Sequence, residues 1–409
     1  MKIKYFLLAI VVAGALVRLY GIGDRPLWTD EEQSVLEANG MGNQLPVTAQ
    51  QIFTNSDFRS ERKISNIASA VVERDSGNGI LYVLGLSGWT AVTGSSTLGV
   101  RLFSWLFSVM TIFVVYSLAK ELTGSEQAGN WSALLFSFQH LSILYAQEAR
   151  GYAMATFFIA LSTLCFFRIC KRQSNLQWTT MLLYGLSSGI ALLSHYFTFY
   201  ILLGQIIIAI LFYRNSFTWR NLMMGGAMAG LMLLIWMLCG GMAGLEMMQW
   251  RNAKYQEQSV LDPGNIFYGA ATAKTILAGV FQMVTHLFSI GFQNAGLRIR
   301  ETIPFLIFPI VLLYLNRDYL KKERSLLTML GIFIFSAPIL AVVLALISGH
   351  TISFQTLYAS FSVPFCCVLT GILFDNTYKE VSYPGKIFLM CYGTMVLLSA
   401  ILNLTATRH

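Results

Sequence analysis

The feature that most constrains this 409-residue chain is a series of apolar blocks, for example 5–20, 222–245 and 326–347, each near the length that crosses a bilayer. A helix needs about 20 such residues to span the hydrocarbon. Of all residues 55% are hydrophobic and only 12% charged, about half the charge of an ordinary soluble domain. The layout of the 28 basic residues against 20 acidic ones points to membrane topology rather than to nucleic acid. Cys165, Cys170, Cys239, Cys366, Cys367 and Cys391 lie in or beside apolar blocks without zinc-ligand spacing, and read as small packing residues.

Eleven spans are expected, near 5–22, 99–120, 128–146, 151–170, 177–194, 197–213, 221–243, 303–316, 325–348, 355–374 and 385–404. The opening Met1-Lys2-Ile3-Lys4 resembles a signal peptide, but Arg18 and the lack of a small-x-small site favour an uncleaved first span. With the N-terminus inside, the inner segments hold fourteen Lys and Arg, including the 317–324 cluster, against six acids. The outer segments are balanced, so short basic loops stay inside and this orientation is favoured. His409 then lies outside.

The apolar stretches 80–92 and 276–291 are too short to count and read as helices lying in the outer interface. The chain therefore divides into a first span (1–22), an outer loop (23–98), a bundle (99–243), a second outer region (244–302) and C-terminal spans (303–409). Within the first loop, Ile64, Ile67, Ala68, Val71 and Val72 repeat at helical spacing and predict an amphipathic surface helix.

The candidate chemistry begins where the first span ends, at Trp28-Thr29-Asp30-Glu31-Glu32. Thr29 with Glu32 three residues on is a capping-box pattern and predicts a short helix from Asp30 to about Asn39-Gly40. Asp30 and Glu31 fall in its first turn, where the helix dipole favours carboxylates. They are either plain capping acids or a general base held at the membrane surface. A second polar group, Glu148 and Arg150, occupies the tight outer turn between the third and fourth spans, where charge needs a partner. It is open to the simpler reading of an ion pair. Arg101 opens the second span on that side; His195 and His350 stand at outer turns, where a His is often incidental.

Together, Asp30-Glu31, the Tyr82 helix, Val100-Arg101-Leu102-Phe103-Ser104 and Tyr145-Ala146-Gln147-Glu148-Ala149-Arg150-Gly151-Tyr152 resemble the GT-C membrane glycosyltransferases. The nearest group is glycosyltransferase family 39 and the bacterial lipopolysaccharide-core sugar transferases. The detailed resemblance covers roughly residues 14–170. It implies an all-α integral membrane fold, a bundle of about eleven transmembrane helices with interfacial helices in the first and a later outer loop. It also implies sugar transfer from a polyprenyl-phosphate carrier to an envelope glycolipid, glycan or protein acceptor on the non-cytoplasmic face of the inner membrane. Lipid is then a partner and nucleic acid is not.

By the same resemblance the catalytic acids fall on Asp30, with Glu31 beside it, and Glu148. Donor-phosphate contacts fall on Arg150, Arg101 and His195. No cofactor is called for, although Asp30, Glu31 and Glu148 offer the oxygen ligands a divalent cation takes. Two departures stand out. Gly77-Asn78-Gly79-Ile80-Leu81-Tyr82 replaces the family's proline-rich lead, and Leu357-Tyr358 stands where an Arg-Tyr pair is usual, with His350 or Lys274 as stand-ins for the Arg.

The alternatives are a transporter or flippase of lipid-linked glycans and a structural assembly protein. Transporters place polar groups near the bilayer midplane in broken helices, whereas here charge gathers at the outer border. In a background without the native cysteines, Lys322→Cys is expected to resist an impermeant thiol reagent in intact cells and to react once they are permeabilised. Labelling of intact cells overturns the topology.

Overall fold

The structure is a computed structural model and describes residues 2–42, 62–171, 177–265, 268–288, 306–380 and 383–406. Among them there is no strand; an isolated bridge pairs Ala270 with His350. Among the described residues five helices have the length and apolarity to cross a membrane, and five shorter apolar helices accompany them. The chain is thus a multi-pass helical membrane protein. The start of the expected 303–316 span, the end of the 276–291 stretch and parts of both outer loops lie outside the described residues.

The helices follow the apolar blocks closely. α1 (Lys2–Leu19) leads to two outer helices, α2 (Thr29–Ala38) and α3 (Ile64–Asp75). α4 (Ile80–Thr93), the stretch too short to span, follows and packs its Ile80, Tyr82, Val83 and Leu86 face inward. The bundle then runs through α5 (Thr97–Thr123), α6 (Glu126–Phe138), α7 (His140–Leu144), α8 (Tyr152–Lys171), α9 (Trp178–Ser194) and α10 (Phe199–Phe212). The expected 128–146 span is therefore two pieces, broken at Gln139, whose side chain caps α7 by accepting from Ser142 N–H.

A larger difference comes next. α11 (Ser216–Trp236) does not stop at 243 but continues through a π-helical turn, Met237–Gly241, into α12 (Met242–Leu261). Gly240 takes φ 143°, which favours glycine, and marks the kink. Apolarity signals only the first part of this helix; its polar extension falls at the start of the expected second outer region, 244–302. The remaining elements are α13 (Ala273–Leu287), α14 (Ile307–Leu315), α15 (Arg317–Lys322), α16 (Arg324–Ser348), α17 (Val363–Glu380) and α18 (Tyr383–Ala406). Of the six free cysteines, Cys239 and Cys391 face outward rather than into helix packing.

α8 packs between α5 and α9, and α17 lies against α6. The two ends of the bundle differ in chemistry. At one end Lys120–Glu126 and Arg168–Glu121 ion pairs join α5 to α6 and α8, and in α17 Asp375 pairs with Lys379 and accepts from Ser125 Oγ. At the other, Arg18 is fully buried near the end of α1 and satisfied by neutral groups alone. Its five N–H groups reach Ser108 Oγ, Gly14 O, Ser137 O, Phe136 O and Ser142 Oγ at 2.7–3.0 Å. Phe136 and Ser137 end α6, so the cation sits at the negative pole of that helix dipole. Arg18 thereby ties α1 to α5, α6 and α7 where the outer loop departs.

Candidate active site

The first turn of α2 is fixed by a buried ion pair. Glu31 and Arg101 are almost wholly out of solvent and pair bidentately, Nε to Oε1 at 2.8 Å and Nη2 to Oε2 at 2.6 Å. Arg101 also donates to the carbonyls of Ile22, Arg25 and Pro26. Glu31 accepts from Ala149 N–H at 2.8 Å and from Trp28 N–H at 3.3 Å. The cap differs from the expected Thr29–Glu32 box by one register: Trp28 is the cap residue, Thr29 the first helical one, and Glu31 reaches back. Glu31 and Arg101 therefore bind each other and line no part of the cleft described below.

This knot leaves Asp30, one residue earlier, facing a cleft of about 870 Å³. The first wall comes from Trp28, Asp30 and Gln33 at the start of α2, with Asp75 ending α3 and Ser76 and Asn78 following it. The second comes from the outer turns bearing Arg150, Tyr152, His195, Tyr196 and Phe197. The third is α12, with Trp250, Arg251, Asn252, Lys254, Tyr255 and Gln258, closed by Tyr268, His350, Gln355, Leu357 and Tyr358. All these segments lie at the end of the bundle opposite the Lys120, Arg168 and Lys379 ion pairs.

Of the residues singled out in the sequence, Asp30, Arg150 and His195 share the cleft, whereas Glu31, Arg101 and Glu148 do not line it. Glu148 is half-buried just behind, close enough for the charges of Glu31 and Asp30 to act on it. Burial first, and then those carboxylates, push its pKa to about 8, so it is largely a neutral acid at pH 7. Asp30 is also raised by burial, with the Arg150 guanidinium pulling the other way, which makes it a stronger base than a free aspartate when ionised.

His195 Nδ1 accepts from Phe197 N–H at 3.2 Å, which leaves Nε2 to carry the proton. Burial lowers its pKa to about 3, so it offers a neutral N–H and no charge. His350 lines the cleft with Nε2 against Asn252 Oδ1 at 2.8 Å, while Lys274 is exposed elsewhere. Tyr358, beside the departure from Arg-Tyr, stacks on Phe197 at 4.1 Å between ring centroids.

Two groups escaped the sequence reading. Asp75 accepts from Arg150 Nη2 at 2.9 Å and pairs with Arg251 at 3.4 Å, so one carboxylate holds two guanidiniums. Arg150 reaches Ser34 Oγ at 3.1 Å as well. Arg251 donates also to Arg74 O, and Lys254 lies over the Trp250 ring at 5.5 Å. These α12 cations were hidden because they follow a span that apolarity alone ends near 243. Among the described residues no three His, Cys, Asp or Glu side chains form a metal-holding group. Asp30, Glu31 and Glu148 do not fit one, since Arg101, Ala149 and Trp28 already occupy the Glu31 oxygens.

The bundle has a GT-C-like fold, shared with membrane transferases of known structure. The model of the dolichyl-phosphate-mannose-protein mannosyltransferase family matches residues 79–252. The structure is similar to ArnT from Cupriavidus metallidurans bound to undecaprenyl phosphate, with a TM-score of 0.61 and 13% identity over 95% of this chain and 62% of that one. It is also similar to the Archaeoglobus fulgidus oligosaccharyltransferase AglB in complex with an inhibitory peptide and a dolichol-phosphate. There the TM-score is 0.57 and the identity 12%, over 98% of this chain and 56% of that one. The chain thus spans just over half the length of the oligosaccharyltransferase. No curated protein sequence matches it.

Glu31→Ala is expected to destabilise the detergent-solubilised protein by about 3–5 kcal/mol, because it leaves Arg101 buried and unpaired. Replacing both partners with methionine should recover part of that loss. The check is thermal unfolding of the two variants, and equal melting of Glu31→Ala and wild type overturns the assignment.

Proposed function

We propose that the protein transfers a sugar from a polyprenyl-phosphate carrier to a hydroxyl-bearing acceptor, in the cleft at the non-cytoplasmic face. The observation that carries this reading is that Asp30 and the cations Arg150, Arg251 and Lys254 share one cleft. Asp30 takes the proton of the acceptor hydroxyl as its oxygen bonds to the anomeric carbon. The bond from that carbon to the phosphate oxygen breaks, and its electron pair leaves on the phosphate. A phosphate leaving group needs no acid catalyst but does need charge stabilisation, which guanidiniums supply with a fork matched to its oxygens. His195 adds a neutral donor, while Glu31 and Arg101 act by holding Asp30 in place. Attack from the side opposite the phosphate inverts the anomeric configuration.

The family match and the fold favour a lipid-linked donor over transport, as does the gathering of charge at the outer border rather than the midplane. The sidedness rests on the basic inner loops. The sugar and the acceptor class, whether glycolipid, glycan or protein, are read most directly from envelope glycans with and without the gene.

Asp30→Asn is expected to lower transfer by about 10²–10⁴-fold, the usual worth of a positioned base, while carrier binding and membrane insertion persist. Loss of the gene or of Asp30 should remove the same sugar in mass spectra of envelope glycolipids and glycans. Normal turnover by Asp30→Asn sinks the base assignment.

A further inference from the structure

Behind the cleft wall, a second and much smaller void of about 10 Å³ is bordered by Ser34, Glu37, Asp75, Tyr82, Arg150 and His195. That is about one water on this measure. Glu37 is completely out of solvent, one turn after Gln33 on α2. Its Oε1 accepts from Gln33 Nε2 at 3.1 Å, but its Oε2 has no partner among the described residues. Arg150 shows the complementary defect: Nη1 and Nη2 are bonded and Nε–H is not. A buried donor and a buried acceptor, each unsatisfied, thus border the same one-water void. Leaving such groups unpaired is costly, because each gives up its bonds to water on burial.

We propose that Glu37 is a positioning residue for Arg150, acting through a single water held between Arg150 Nε and Glu37 Oε2, and that its charge state sets how strongly the cleft holds an anion. The role rests on the reading of the cleft as a phosphate site. A water suits the place because it can donate to an ionised Glu37 and accept from a protonated one, while accepting from Arg150 in both states.

The groups facing Glu37 are Asp75 and Arg74 from α3, Arg150 from the outer turn, and Gln33 on its own helix; Tyr82 and His195 border the void. Burial, then the Asp75 charge, raise the Glu37 pKa to about 8. Below that pH Glu37 is neutral, and the carboxylates acting on Arg150 are Asp75 and Asp30. Above it a further carboxylate faces the guanidinium, so anion affinity falls as pH rises. A glutamine cannot make this change, and at no pH adds the charge.

Glu148 titrates in the same window, so the test uses a Glu148→Gln background. Binding of undecaprenyl monophosphate in nanodiscs is measured from pH 7.5 to 9. With Glu37 intact, affinity should fall about three- to tenfold over that range, the size of one charge placed behind the site. With Glu37→Gln it should stay flat, and Glu37→Asp should restore a pH-dependent fall. An equal fall with glutamine overturns the charge-setting role, as does a flat profile with Glu37 intact.

A high-resolution structure should show the water between the two named atoms, and side chains packed together without it overturn the bridge. If no variant binds the monophosphate at any pH, the phosphate reading of the cleft fails and the charge-setting role with it. The bridging water then decides the contact by itself.

Discussion

Everything at the cleft end of this molecule depends on the bidentate pair between Glu31 and Arg101. One carboxylate joins the first outer helix to the second span, and through Ala149 N–H to the turn that carries Glu148 and Arg150. Arg101 in turn gathers the carbonyls of the segment leaving the first span. A pair this deeply buried brings little net stability, since desolvation offsets most of the attraction. Its consequence is register. Asp30 can point only into the cleft once Glu31 points away from it, because neighbours in a helix lie about 100° apart.

The cleft is built so that positive charge is held without being quenched. Asp75 is shared between Arg150 and Arg251, so two guanidiniums answer to one carboxylate, and Lys254 stands over Trp250. His195 contributes no charge, being buried and fixed as one tautomer by the backbone of Phe197. An anion entering here meets oriented donors whose ordering has been met by the fold, which is the basis of electrostatic preorganisation.

Much of this was legible in the sequence because a bilayer imposes a simple rule. Apolar length marks the spans and basic loops mark the inner side, so most helices fall within a few residues of expectation. Asp30, Arg150 and His195 were legible as polar residues at the outer border, and they share the cleft. The pairing of Glu31 with Arg101 was not legible, since two residues 70 positions apart give no local sign of meeting. Nor was the extension of α11 into α12. Hydropathy stops where lipid stops, whereas hydrogen bonding carries the helix on through Met237–Gly241.

That kinked passage has a geometric consequence. The half of the helix before the π-helical turn lies in the bilayer, and the half after it is a wall of the cleft. Arg251 stands ten residues beyond Gly241, a lever arm of about 15 Å at the helical rise. A rotation of about 10° at the kink would displace its Cα by about 2.5 Å, a large part of the 3.4 Å that separates its guanidinium from Asp75. One kinked helix thus carries both a long apolar stretch and the charged wall of the cleft.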